Sequence, residues 1–354
     1  MHIKASKGPP VELQIANLDA LLDHCYKSSV FFRQNILNAL DAHPSGLTLV
    51  LYHDSCTAGN PVRSLNNQKT ILFYVSFKEF QSHGNLGLWL PAALIREAEA
   101  NRCEGGFSHL LRMLFHSWLQ TPNSLFTCGV PLKYTHQACL LRVESFILLG
   151  DELALKTSMD AKGASGFKPC LKCKNILKTD MQLGHQSYLV HHWESDPRKF
   201  DLYTNQEVWE VVDHVLATAT SGVSKAVIKQ LTIDTGFKPN FEGWLADTAL
   251  RNHFPPSSIM YDAMHIYWSG GIVGSELSML LEKLSPYHEQ LESFMFSDWG
   301  CAAGGSPHHS SPWQRRFWFQ RCILDKAFAS ELFSVVPPIG FFIAKGNLTI
   351  EPVH

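Results

Sequence analysis

The sequence predicts an α/β fold: a mixed sheet flanked by helices, with a mostly helical insertion that carries a CxxC. Three observations predict it. Runs of strand-forming residues fall at 47–54, 70–77 and 138–149, with polar, glycine-containing loops between them. Between the second and the last of these runs, Leu110, Leu111, Leu114, Phe115 and Trp118 recur at helical spacing. The first and last runs each lead into an acid, Asp54 and Asp151.

In order, residues 1–45 form a helical N-terminal segment. Positions 17–25 and 29–42 have helical apolar spacing, and Pro44-Ser45-Gly46 ends the second stretch. Residues 46–160 form the first part of the core. Its third strand spans 86–95, where Pro91 marks an edge or a break. Gly105-Gly106 opens the helix, the strand 138–149 follows, and 152–159 starts a further helix. This order of three strands, helix, strand, helix is the opening of an RNase H-like fold. There the first and fourth strands are neighbours, with ends about 5 Å apart.

Residues 161–313 read as the insertion. It holds a Lys/Gly/Cys loop at 162–174, a histidine-rich stretch (His185, His191, His192), a helix over 206–220 and a Pro-Pro turn at 255–256. A helical stretch over 266–296 and a Gly/Ser/Pro/His loop over 297–313 complete it. Residues 314–354 supply a returning core helix, stopped by Pro337-Pro338, and a tail.

Composition sets limits on function. Of 354 residues, 45% are hydrophobic and 18% charged, enough apolar side chain for a sizeable core. Net charge is −2, so there is no whole-chain basic excess of the kind a dedicated DNA-binding module needs. A local basic groove remains open. No secretory leader is visible, and the apolar runs are too short to span a bilayer. Nine cysteines include one CxxC, Cys170 and Cys173. In the reducing compartment this implies, such a pair reads as metal-binding or redox before disulfide.

Asp54 and Asp151 are the first candidate pair. Two acids at neighbouring strand ends suit a shared divalent metal and phosphoryl chemistry. Taken singly, Asp54 also suits a solvated turn, and Asp151 a helix N-cap. Cys170 and Cys173 are half of a tetrahedral zinc site or two free thiols; His185, His191, His192, His265, His308 and His309 are candidates for the other half. Asp262 and His265 share one helical turn. A third acid from a late helix is expected at Glu331, with Glu276 as competitor. Lys168, Lys172 and Lys174, around the CxxC, either track a phosphate backbone or face solvent. GxSxG, HExxH and P-loop motifs are absent from the sequence.

Together these pieces resemble the DDE transposases that carry an insertion between the second Asp and the Glu. The CACTA, Kyakuja-type and hAT-like elements and the V(D)J recombinase core belong to this class. The matching residues are Asp54 on its strand, Gly150-Asp151-Glu152 leading through Lys162-Gly163 to Cys170 and Cys173, and the Asp262-Ala263-Met264-His265 turn. The resemblance covers roughly residues 46–336. It implies that Asp54, Asp151 and Glu331 hold Mg²⁺ or Mn²⁺ for two-metal cleavage and strand transfer. It implies Zn²⁺ on Cys170 and Cys173, and adds His265 to the candidate metal ligands. It implies DNA as partner, both transposon ends and target, a homo-oligomer and a nuclear location. A transposon-derived binding module without turnover, keeping the fold and zinc, is the alternative.

Overall fold

The strand formers from Leu47 to His53 alternate between two faces, and their strand lies in the interior of the main sheet. The computed structural model describes residues 2–57, 69–120, 124–163, 166–177, 190–191, 196–263, 265, 267, 272–294, 339 and 343–344. The chain divides into two units, residues 1–260 and 261–354.

The first unit opens with β1 (His2–Ile3), β2 (Val11–Glu12), β3 (Gln14–Ile15), α1 (Leu18–Ser28) and α2 (Val30–Ala42). Then come β4 (Leu47–Thr57), β5 (Lys69–Phe77), β6 (Leu90–Arg96), α3 (Glu97–Ala100) and α4 (Gly106–Leu119). A hairpin, β7 (Val130–Tyr134) and β8 (Gln137–Leu141), precedes β9 (Val143–Gly150) and α5 (Glu152–Ser158). The remainder holds β10 (Ile176–Leu177), β11 (Val190–His191), α6 (Asn205–Thr220), α7 (Lys225–Thr235) and β12 (Ile259–Tyr261). In the second unit lie α8 (Ile272–Lys283) and α9 (His288–Ser293), where Leu277, Leu281 and Leu291 are buried, as is Leu284 just after α8.

The fold is mixed α/β. Its main sheet has six strands in the order β12-β9-β4-β5-β6-β3. The strand β4 runs antiparallel to β5 and parallel to β9, while β6 runs antiparallel to both β5 and β3. Leu47, Leu49, Leu51 and His53 turn to one face and are buried. Helix α4 covers that face with Leu110, Leu111, Leu114, Phe115 and Trp118, the residues its spacing singles out. Phe115 stacks on Phe254 at 4.0 Å and meets Phe146 and Trp244 edge-on at 5.4 and 5.6 Å. Each such pair adds about 0.5–1.5 kcal/mol beyond area burial. Gly105 starts α4 at φ 82°, and a Cβ there would sit 2.5 Å from that of Glu242.

The structure differs from the sequence expectation in three places. The N-terminal segment is not helical throughout, because β3 adds an edge strand to the main sheet. The run 138–149 is two strands separated at Arg142: β8 closes a hairpin with β7, and β9 joins the sheet. The third strand begins at Leu90, and Pro91 sits where the β5–β6 register shifts. A bulge tolerates a residue without an N–H, so proline does not break this strand. Helix α7, which ends at Gly236 in the left-handed conformation, carries no periodic apolar face that would announce it; only Thr232 is buried.

Candidate metal centre

From Thr48 to Tyr52, each β4 residue faces the β9 residue 97 positions further on. That pairing stops at Tyr52 and Leu149, two residues before Asp54 and Asp151, so the two acids follow neighbouring parallel stretches of chain. Side chains alternate in direction along a strand. His53 and Phe146 turn toward α4, against Phe107 and Phe115. Asp54 therefore takes the opposite face, on which Thr48 and Ser145 hydrogen bond at 2.8 Å, whereas Asp151 lies past the end of β9 and its charge acts on the buried His53.

Asp54 does not end its strand. Pairing with β5 runs on to Thr57, and Asp54 stands opposite Leu72. It lies past the end of pairing with β9 only, which stops at Tyr52 and Leu149. Its exposed carboxylate accepts from the Ser55 amide at 2.6 Å and from the Tyr52 hydroxyl at 3.3 Å. Asp151 is the N-cap of α5, in extended conformation, and accepts from the Ala154 amide. One oxygen is thus committed to the helix start, where the partial positive charge favours a carboxylate.

Sequence reasoning did not single out His53. It is 4% exposed, and burial lowers its pKa to about 4 against the opposing charge of Asp151. Its position in the alternating series Leu47, Leu49, Leu51 was the available signal. Asp160 was also missed. Burial raises its pKa to about 6, against the hydrogen bond from Asn240, the Ser108 hydroxyl beside it and the charge of Lys238. The Asn240 amide donates to it at 2.9 Å, joining residues 80 positions apart. Nearby, Asp247 accepts from Arg112 and His116, each at 2.7 Å, and fixes α4 to the segment after α7.

The CxxC loop is stitched to residues 199–203. Cys173 bridges Leu202, the Lys174 amide donates to Asp201 O, and the Tyr203 amide donates to Lys172 O. Cys170 Sγ accepts the amides of Lys172 and Cys173 at 3.4 and 3.3 Å. These donors and the Cys173 thiol lower the Cys170 pKa to about 6, while Cys173 keeps its proton and is pushed up. The backbone of His191 pairs with that of Leu177, four residues past Cys173.

Each candidate DNA-binding lysine meets a partner within the protein. Lys174 pairs with Glu207 at 2.7 Å and Asp201 at 3.2 Å. Lys172 donates to Ile259 O at 3.1 Å. Lys168 lies over the Tyr203 ring and reaches its hydroxyl at 3.4 Å. Lys168, Lys174, Asp201, Tyr203 and Glu207 line an open cavity of 440 Å³.

In the second unit, His265 Nδ1 lies 2.8 Å from Asp262 Oδ2, and Glu276 is exposed on α8. Glu331, His185, His192, His308 and His309 lie outside the described residues. Among the described residues, no group of three or more His, Cys, Asp or Glu is gathered for a metal ion. No helix among them is long and apolar enough to cross a membrane. No protein-family model matches the chain, and no curated protein matches it.

Proposed function

We propose that the chain is the core of a DDE-type transposase, an RNase H-like domain that cuts DNA and joins it to a target. The parallel pairing of β4 with β9, the strands that lead toward Asp54 and Asp151, carries this reading. The order β6-β5-β4-β9-β12 supports it, with the first three core strands antiparallel and the fourth parallel to the first. The two carboxylates offer the hard oxygen donors that Mg²⁺ or Mn²⁺ takes together with water and phosphate oxygens. Bound there, the metal would supply charge neutralisation for an in-line displacement at phosphorus. The protein's own part is to keep both acids in place. Tyr52 and Ser55 orient Asp54, and the first turn of α5 orients Asp151.

The third acid in this reading is Glu331. Cys170 and Cys173 are half of a zinc site: two amides aimed at one sulfur stabilise a thiolate, the form that binds metal. DNA as substrate places the protein in the nucleus, and synapsis of two transposon ends calls for a homo-oligomer.

The test is nicking and strand transfer on a plasmid substrate with Mg²⁺ or Mn²⁺. Activity must appear with metal and vanish in Asp54→Asn and Asp151→Asn. Equal DNA binding in EDTA and Mg²⁺, with no cutting, replaces this reading with a binding module that lacks turnover. Zinc content by elemental analysis should be near one per chain and fall in Cys170→Ser.

A further inference from the structure

A line of hydrogen bonds through α5 joins Asp151 to His53, the residue before Asp54. Asp151 accepts the amide of Ala154. The carbonyl of that same Ala154 accepts the Ser158 hydroxyl at 2.8 Å. Ser158 Oγ then lies 2.9 Å from His53 Nε2, across 105 residues of chain. A hydroxyl has one proton, and Ala154 takes it, so His53 is the donor and carries its hydrogen on Nε2. His53 directly precedes Asp54 on β4.

We propose that His53 is a positioning residue that holds α5, and with it Asp151, against the strand that carries Asp54. Packing fixes its ring: Phe107 lies 4.6 Å and Phe73 5.8 Å away, and those two rings stack on each other at 5.5 Å. A buried donor with a single partner is directional. Removing it leaves Ser158 with an unmet acceptor and frees the helix to shift. The far end of the helix is tied as well, because the Trp244 indole donates to Ser158 O at 2.8 Å. A phenylalanine at position 53 fills the same space and cannot make the bond.

This inference rests on the metal reading of Asp54 and Asp151, and its test separates the two. Mn²⁺ binding is titrated by electron paramagnetic resonance on the full chain, with thermal melting alongside. Outer groups that orient metal ligands typically change affinity about 10–100-fold when removed. His53→Phe and Ser158→Ala should each weaken Mn²⁺ binding by about tenfold in a folded protein. His53→Gln, which keeps an N–H donor, should recover most of that loss. The double variant should bind no worse than either single variant, because both cut one line. If His53→Phe does not fold, Ser158→Ala and His53→Gln carry the comparison. Binding lost in Asp54→Asn yet unchanged in Ser158→Ala and His53→Phe overturns the positioning role alone. Mn²⁺ binding that is absent, or indifferent to Asp54→Asn, overturns the metal reading and this inference with it.

Discussion

The backbone register of β4 and β9 brings the chain stretches that lead into Asp54 and Asp151 side by side, whereas Lys168, Lys172 and Lys174 end wherever side-chain reach finds a partner. In the sheet, a run of main-chain hydrogen bonds fixes every position, and a slip of one residue would turn Leu49 and Leu51 out to solvent. In the CxxC loop, nothing of that kind holds a lysine toward a ligand. Lys174 is satisfied by two carboxylates, one of them Glu207, whose side chain also completes the capping box of α6 with Thr204. Acids placed by register keep their chemistry available, while cations placed by reach are absorbed by their own protein. A sequence rich in lysine over a short loop is therefore weaker evidence for a nucleic-acid surface than two acids just past a paired parallel stretch are for a metal centre.

The largest expected effect tests the sheet side of this comparison. Asp54→Asn and Asp151→Asn should each lower metal-dependent nicking by at least about 10²–10³-fold, the usual cost of removing an aimed electrostatic group. Both should fold. Asp54 is exposed, and asparagine caps a helix as well as aspartate does, so α5 keeps its start. Nicking rates and melting temperatures measured together check this. A large loss of melting temperature in Asp151→Asn would assign that residue a structural role and break the contrast.

A second, smaller effect concerns an acid placed by neither rule. Asp160 is held between the end of α5 and Asn240, and burial raises its pKa from 3.8 to about 6. The folded state therefore keeps a proton that the unfolded chain releases. Stability from this group is greatest below pH 3.8 and falls as pH rises toward 6. The loss is at most about 3 kcal/mol. His53 acts in the opposite direction over an overlapping window, because its folded pKa is lowered from 6.5 to about 4. The difference between wild type and Asp160→Asn isolates the carboxyl. Urea melts between pH 4 and 7 should show the variant gaining stability relative to wild type as pH rises. A flat difference would mean that Asp160 is ionised and fully compensated by Asn240, Ser108 and Lys238.

What the sequence made legible follows the same division. The periodicity of α4 and the strand-forming run of β4 are local patterns, and both appear as read. The strand order that makes β4 and β9 neighbours was an expectation from element order, and the sheet has it. Pairings that span the chain left no local mark. Asn240 meets Asp160 over 80 residues, and Lys174 meets Glu207 over 33. The His53–Ser158 bond has no local signature beyond a polar residue at an inward position. Helix α7 was missed because its apolar residues form no buried stripe: Val227 is exposed at 49%, and Ile228, Leu231 and Ile233 are half-buried.

The smallest effect tests the lysine side. Each phosphate contact contributes about 0.9 to the slope of log affinity against log salt. Lys174 would have to leave both Glu207 and Asp201 to make one, and those carboxylates would then face the same phosphate. Lys174→Ala should leave the slope unchanged. Lys168 differs, because the partner it meets is a neutral phenol and ring. Tyr203 can share that cation with a phosphate without stranding a carboxylate. Lys168→Ala should lower the slope by about 0.9 if the 440 Å³ cavity borders the DNA path. Binding isotherms at four salt concentrations for the two variants settle the ranking. An equal drop for both lysines would show that the ion pairs of Lys174 open on binding, and that reach places a cation as usefully as register places an acid.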